Sequence, residues 1–188
     1  GYGGGWWDWL TPFSLLTGVS LVVGYALLGA TWLVMRTEGT TRIHARRMAF
    51  RLGVATVTCI GLVSAATPFL DATYAGRWFA WPSVILTAQV PLLVVVGAAL
   101  FFRALARDAD RAPFLLALGL FALSYIGLGI SIFPDIVPGR VTIWEAASPP
   151  FSQIFMLVGA SVLIPVILAY TAYAYWVFRG KVGTEGYH

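Results

Sequence analysis

The sequence predicts an all-α, polytopic membrane protein with five transmembrane helices, arranged as a four-helix bundle plus one further helix. Three observations carry this reading. The apolar share of the 188 residues is 59% and the charged share 11%, against about 45–50% and about 25% in an ordinary soluble domain. The charges fall in clusters, leaving charge-free runs at 9–35, 52–70, 78–102, 112–134 and 146–178. The eight tryptophans gather at the ends of those runs. A soluble fold of this size would turn its surplus apolar surface to water and aggregate.

The five runs are 27, 19, 25, 23 and 33 residues long, and about 20 apolar residues cross about 30 Å of hydrocarbon. The second is short, but Arg51 can snorkel to the surface and lengthen it. A charge at mid-span costs about 2.5–3.5 kcal/mol on insertion scales, so five empty centres argue for spanning. Helices of a soluble core would instead carry polar faces at a period of 3.6 residues. The expected spans are 12–35, 47–69, 82–104, 112–134 and 151–178, in a single membrane domain over 1–188.

Thr11 and Pro12 read as the N-cap and first helical position of span one, which runs to about Met35. Gly39 with Thr40 and Thr41 makes a break and a new cap. Span two starts outside the membrane, because Arg42/Arg46 and Arg47/Arg51 repeat at i,i+4 along a solvated stretch; it ends near Thr67-Pro68. Residues 71–81 form a short loop. Span three opens at Pro82 and holds Pro91, whose missing N–H frees a carbonyl and kinks the helix. Residues 107–111 are a tight turn, and span four closes at Pro134. The connection 135–150 carries Trp144 and Glu145, and span five, starting near Pro150, contains Pro165. Small-residue pairs at Ala26/Ala30, Gly61/Ala65 and Gly127/Ser131 have the spacing that lets helices approach closely in lipid. The chain starts at Gly1-Tyr2-Gly3-Gly4-Gly5 with neither a methionine nor a secretory signal, so we expect part of a longer polypeptide, a processed N-terminus being the competing explanation.

Ten of the twelve basic residues fall on one side: Arg36, Arg42, Arg46, Arg47 and Arg51, then Arg103, Arg107 and Arg111, then Arg179 and Lys181. The other side has Arg77 and Arg140 beside Asp8, Asp71, Asp135 and Glu145. The positive-inside rule puts the ten-residue side in the cytoplasm, with the N-terminus periplasmic and the C-terminus cytoplasmic. Trp6, Trp7, Trp9, Trp78, Trp81 and Trp144 then mark the outer belt, and Trp32 and Trp176 the inner one. The net charge of +4 is thus a topology signal with an attraction for anionic lipid; no nucleic-acid module is present.

Candidates for chemistry are few. A membrane haem needs an axial His, Met or Cys inside the bundle. His44 lies in the basic segment and His188 is the last residue, while Cys59 and Met156, the sulfur atoms within spans, read as packing. No catalytic residue, cofactor ligand or metal ligand is therefore assigned to this chain. No span holds a carboxylate such as a proton-coupled carrier would use. Gln89 is the most polar side chain at depth; it can donate to the carbonyl freed near Pro91 or to a quinone oxygen. Glu145 reads as a solvated loop acid, the functional alternative being a proton exit or quinol site. Gln153 is expected to satisfy a helix terminus.

Two blocks resemble a known family. One is Trp9-Leu10-Thr11-Pro12-Phe13-Ser14-Leu15-Leu16-Thr17-Gly18, continuing through Tyr25-Ala26-Leu27-Leu28-Gly29-Ala30-Thr31-Trp32-Leu33 to Arg36-Thr37-Glu38-Gly39. The other is Trp144-Glu145-Ala146, Ser152-Gln153, Leu163-Ile164-Pro165-Val166-Ile167-Leu168-Ala169-Tyr170-Thr171 and Tyr175-Trp176. Both look like subunit II of the cytochrome bd-type quinol oxidases, and the resemblance fits the C-terminal half of that subunit. It implies a haem-free structural subunit of a bacterial respiratory terminal oxidase, a complex that oxidises ubiquinol or menaquinol and reduces oxygen to water. It places the b- and d-type haems in a partner, subunit I. It implies inner-membrane residence, a heterodimer with subunit I, a contribution to proton access and, in some members, a structural quinone. The acidic residues associated with the family's proton path belong to the other half, so none is carried over. The alternative from the residues alone is a small membrane transporter or scaffold whose proline-kinked helices line a path.

Overall fold

The computed structural model describes residues 5–70, 76, 78, 81, 83–137 and 140–178. The expected loop at 71–81 falls largely outside them, as do Pro82, Arg179, Lys181 and His188. Five long helices form: α1 (Pro12–Arg36), α2 (Gly39–Ala66), α3 (Ser83–Ala106), α4 (Ala112–Ile132) and α5 (Pro150–Val177). A 3-10 turn, Thr67–Phe69, follows α2. All five helices are long and apolar enough to cross a membrane. A short hairpin, β1 (Asp135–Val137) antiparallel to β2 (Val141–Thr142), lies within the connection that the sequence left without elements. The chain forms two compact units, one containing α1 to α4 as far as Ser131, the other running from Ile132 through the hairpin and α5.

The helix ends follow local chemistry. Thr11 Oγ1 accepts from Ser14 N at 3.1 Å, and Ser14 Oγ accepts from Thr11 N at 2.9 Å, closing a capping box with Pro12 in the first turn. At the far end, Arg36 lies 4.7 Å from the Trp32 ring centroid, a cation–π contact where an aromatic belt meets water. Only Thr37 and Glu38 separate α1 from α2. The expected break falls at Gly39, which stands in the left-handed region at φ 63°, but the expected cap at Thr40–Thr41 is corrected: the N-cap is Glu38, which makes no side-chain cap bond. So short a reversal needs a left-handed residue, and glycine takes that conformation without a Cβ penalty. Both α3 and α5 continue through their prolines, Pro91 and Pro165.

Within the first unit, each helix buries a narrow strip. The strips are Leu27, Ala30, Thr31 and Val34 on α1; Ala45, Ala49 and Gly53 on α2; Val94, Ala98, Phe101 and Leu105 on α3; and Ala117 and Leu120 on α4. Lipid tails are as apolar as leucine, so this association rests on close contact rather than on escape from water. Small residues on one helix receive large ones from another. A Cβ on Gly24 would sit 2.6 Å from Phe121 Cε2, and one on Gly53 would sit 2.5 Å from Phe101 Cε1. The expected small-residue pairs fare unevenly. Ala30 and Ser131 are buried, and Gly127 stands 3.2 Å from Val90 Cγ1 at its would-be Cβ. Ala26, Gly61 and Ala65 instead face outward, with nothing near Gly61. Spacing finds a smooth helix face; the size of the opposing side chain decides whether that face is used.

Several hydroxyls in the spans are satisfied within their own helices, whereas Thr56 Oγ1, buried on α2, has no hydrogen-bond partner among the described residues. Thr31 donates to Leu27 O at 2.8 Å, Thr58 to Val54 O at 2.9 Å, and Ser124 to Leu120 O at 2.9 Å. Such back-bonding lets a polar side chain sit in hydrocarbon without a missing partner.

Candidate functional site

Polar fastenings within each unit and one helix without a buried residue define the surfaces that can act. At the basic end, residues Arg103–Asp110 close α3. Ala109 N donates to Ala104 O at 3.1 Å and Asp108 N to Leu105 O at 3.2 Å, with Asp108 at φ 56°. This is a Schellman-type stop, whose left-handed position usually takes glycine. Aspartate occupies it here, and its carboxylate meets two arginines from the first turns of α2. Arg42 Nη2 is 3.1 Å and Arg46 Nη1 2.9 Å from Asp108 Oδ1, and Arg42 also reaches Asp110 Oδ1 at 2.8 Å. Arg46 further approaches the Ala106 carbonyl at 3.4 Å. The start of α2 is thus tied to the α3–α4 turn. The sequence reading counted these arginines for topology and passed over the two aspartates. Their separation of more than 60 positions leaves no local signal.

Toward the other end of the same unit, Trp78 Nε1 donates to Ser131 Oγ at 3.1 Å, and Thr87 Oγ1 to the Trp78 carbonyl at 2.9 Å. The belt tryptophan is here also a fastener.

Glu145 is exposed, and its carboxylate closes a second capping box. Thr142 N and Thr142 Oγ1 donate to Glu145 Oε2 at 2.8 and 3.0 Å, while Glu145 N donates to Thr142 Oγ1 at 3.3 Å. The backbone and side-chain bonds from Thr142 hold its pKa below the ordinary value. The cue was legible as Thr142-x-x-Glu145. Beside it, Phe133 and Trp144 pack edge to face at 5.9 Å. Gln153 Nε2 donates to Ser148 O at 2.6 Å, tying the entry of α5 to the segment just before it.

Gln89 is exposed on α3, on the same side as Leu92, Leu93 and Val96. Gln89 belongs to the first unit and Glu145 to the second. His44 Nδ1 lies 2.9 Å from Thr40 O in the first turns of α2. Cys59 is a half-buried free thiol and Met156 is exposed. Among the described residues no three His, Cys, Asp or Glu side chains come together as a metal site would require.

The second unit carries an exposed helix, α5. None of its 28 residues is buried, and Phe151, Phe155, Met156, Tyr170 and Phe178 just beyond it stand open. The arrangement offers apolar faces to lipid or to another protein, and no assembled reaction centre among the described residues.

Comparison with known proteins identifies the family. The family model described as cytochrome bd terminal oxidase subunit II matches residues 1–178. The cytochrome bd-I ubiquinol oxidase subunit 2 of Escherichia coli (strain K12) is 28% identical over 222 aligned residues, covering 98% of this chain and 56% of that protein. The cytochrome bd ubiquinol oxidase subunit 2 of Bacillus subtilis (strain 168) is 25% identical over 186, covering 93% and 52%. The chain spans about half the length of the curated relatives it matches.

Proposed function

From the premise that this chain belongs to the cytochrome bd terminal oxidase subunit II family, we propose that it is a haem-free structural part of a respiratory quinol oxidase. The complex oxidises quinol and reduces oxygen to water. In it this chain supports a haem-bearing subunit I, which carries the b- and d-type haems. The observation that carries the proposal is α5, a 28-residue apolar helix with no buried residue. An aromatic-rich helix of that length with no buried residue is suited to docking in a larger membrane assembly. Support for the haem-free role comes from the ligand inventory: His44 sits beside Arg42, Arg46 and Arg47, not at membrane depth. Redox chemistry is then the partner's, and quinol is a substrate of the complex. A structural quinone against the exposed side of α3, near Gln89, belongs to the same proposal.

Orientation follows from charge. The end carrying Arg42, Arg46, Arg103, Arg107 and Arg111 faces the cytoplasm of a bacterial inner membrane, and the Glu145 hairpin faces the periplasm.

The test is affinity purification of the full-length protein from its native membrane, followed by separation of its subunits. The expected result is co-elution with an integral subunit bearing b- and d-type haem bands, while the separated chain shows no Soret absorption. A Soret band on the separated chain overturns the haem-free role. Purification without an oxidase partner overturns the assembly role.

A further inference from the structure

A groove of about 500 Å³ opens at the basic end of the first unit, lined by Arg42, Arg46, Arg47, Ile43, Phe50 and Asp108, with Gly39 at its head. We propose that this groove binds the phosphate headgroup of an anionic phospholipid, with Arg47 as its principal cation. The inference rests on the chain spanning a membrane and is independent of the oxidase reading.

The charges are unequal and already sorted. Arg42 is committed to Asp108 and Asp110, and Arg46 to Asp108. Arg47 is exposed and pairs with no described carboxylate. Three guanidinium groups meet two carboxylates, Asp108 and Asp110, so an excess of one positive charge remains, and it is Arg47 that has no carboxylate partner among the described residues. The ion pairs also hold Arg42 and Arg46 in place before any ligand arrives, which lowers the ordering cost of binding. A guanidinium presents a planar fork of donors that matches phosphate oxygens.

The groove is not purely polar. Ile43 is 52% and Phe50 54% exposed beside the arginines. Phe50 is braced edge to face against Phe102 at 5.4 Å. A free inorganic phosphate has no use for such a wall, whereas the glycerol and upper acyl carbons of a lipid do. Depth agrees. Arg47 precedes Leu52, the start of the charge-free run, by about 7.5 Å at about 1.5 Å per residue. That is the outer part of the headgroup layer above the hydrocarbon, about 5–7.5 Å thick on each side.

The experiment uses the full-length protein with its native partners in nanodiscs of phosphatidylcholine containing a minor fraction of phosphatidylglycerol, followed by native mass spectrometry of retained lipid. Wild type should retain phosphatidylglycerol over phosphatidylcholine. Arg47→Gln should lower that preference about fivefold, the worth of one basic residue at an anionic surface. Arg111→Gln, an equal loss of charge at the same end but outside the groove, should leave it nearly intact. Equal retention of both lipids by wild type overturns the proposal, as does an equal fall in both variants, which would mean diffuse attraction. Displacement of the lipid by millimolar inorganic phosphate assigns the groove to free phosphate and equally overturns it. Retained preference in Arg47→Gln, with loss of an acidic protein partner instead, also sinks it.

Discussion

The contact between Gly53 and Phe101 makes a paired test of what holds the helices together. Carbon atoms rest comfortably at about 3.5–4.0 Å. A Cβ at Gly53 would lie 2.5 Å from Phe101 Cε1 and 3.3 Å from Phe102 Cε1. Phe101 is fully buried, so its ring cannot swing into open space, and α2 and α3 must move apart instead. Overpacking of this kind costs about 1–3 kcal/mol. Alanine also gains up to about 1 kcal/mol over glycine as a helix former, so Gly53→Ala should be destabilising by about 0–2 kcal/mol net. Gly61→Ala on the same helix meets nothing within 4 Å and should gain the propensity without the clash. The two variants should therefore differ by about 1–3 kcal/mol. Unfolding of the purified protein in mild detergent, titrated with a denaturing detergent, measures both. Phe101→Leu combined with Gly53→Ala should recover part of the loss, with a coupling of the sign expected for residues in contact. Equal stability of Gly53→Ala and Gly61→Ala would refute the argument that shape at this crossing, rather than general greasiness, sets the helix pairing.

Three further outcomes follow from the polar fastenings and from Gln89. Asp108→Asn should destabilise by no more than about 1 kcal/mol, because the side chain is 58% exposed and solvent screens its pairs; the same titration in high salt should erase most of the difference. The Glu145 capping box should hold at neutral pH. Its folded pKa is depressed, so its contribution is present above the unfolded value and lost as pH falls through the folded one. Fluorescence of the full set of tryptophans, with Trp144→Phe identifying the hairpin signal, should thus change only below the ordinary carboxylate range, and Glu145→Gln should remove that transition. Gln89→Leu should leave quinol oxidase turnover of the assembled complex unchanged if the exposed amide meets only lipid; a collapse would make it a quinone contact.

The five long apolar helices were legible because charge is so costly in hydrocarbon that its absence is nearly a ruler. The expected 12–35 and 112–134 stand against Pro12–Arg36 and Ala112–Ile132, and 151–178 against Pro150–Val177. Caps were legible where a side chain speaks to its own neighbours, as at Thr11. The packing faces were not. A helix apolar on every side gives no stripe to read, and the choice of face depends on pairs such as Gly53 with Phe101, far apart in sequence. The Asp108 fastening was hidden for the same reason. The hairpin escaped because its strands are three and two residues long, below any readable alternation; a Pro-Gly pair at 138–139 was its only cue.

The distribution of polar contacts bears on what the bare surfaces are for. In the first unit, ion pairs at the α3–α4 turn and the Trp78–Ser131 bond near the end of α4 fix register, while the middle is held by shape. Span hydroxyls such as Thr31, Thr58 and Ser124 turn inward to their own backbones. The second unit fastens its hairpin through Thr142 and Glu145 and the entry of α5 through Gln153. Among the described residues, α5 carries no charged side chain along its length. A partner covering that helix therefore gains neither ion pairs nor much relief from water, since lipid already solvates it. What remains to select a partner is the contour of Phe151, Phe155, Tyr170 and Tyr173, which is why bulk and outline on this helix, more than polarity, should govern assembly.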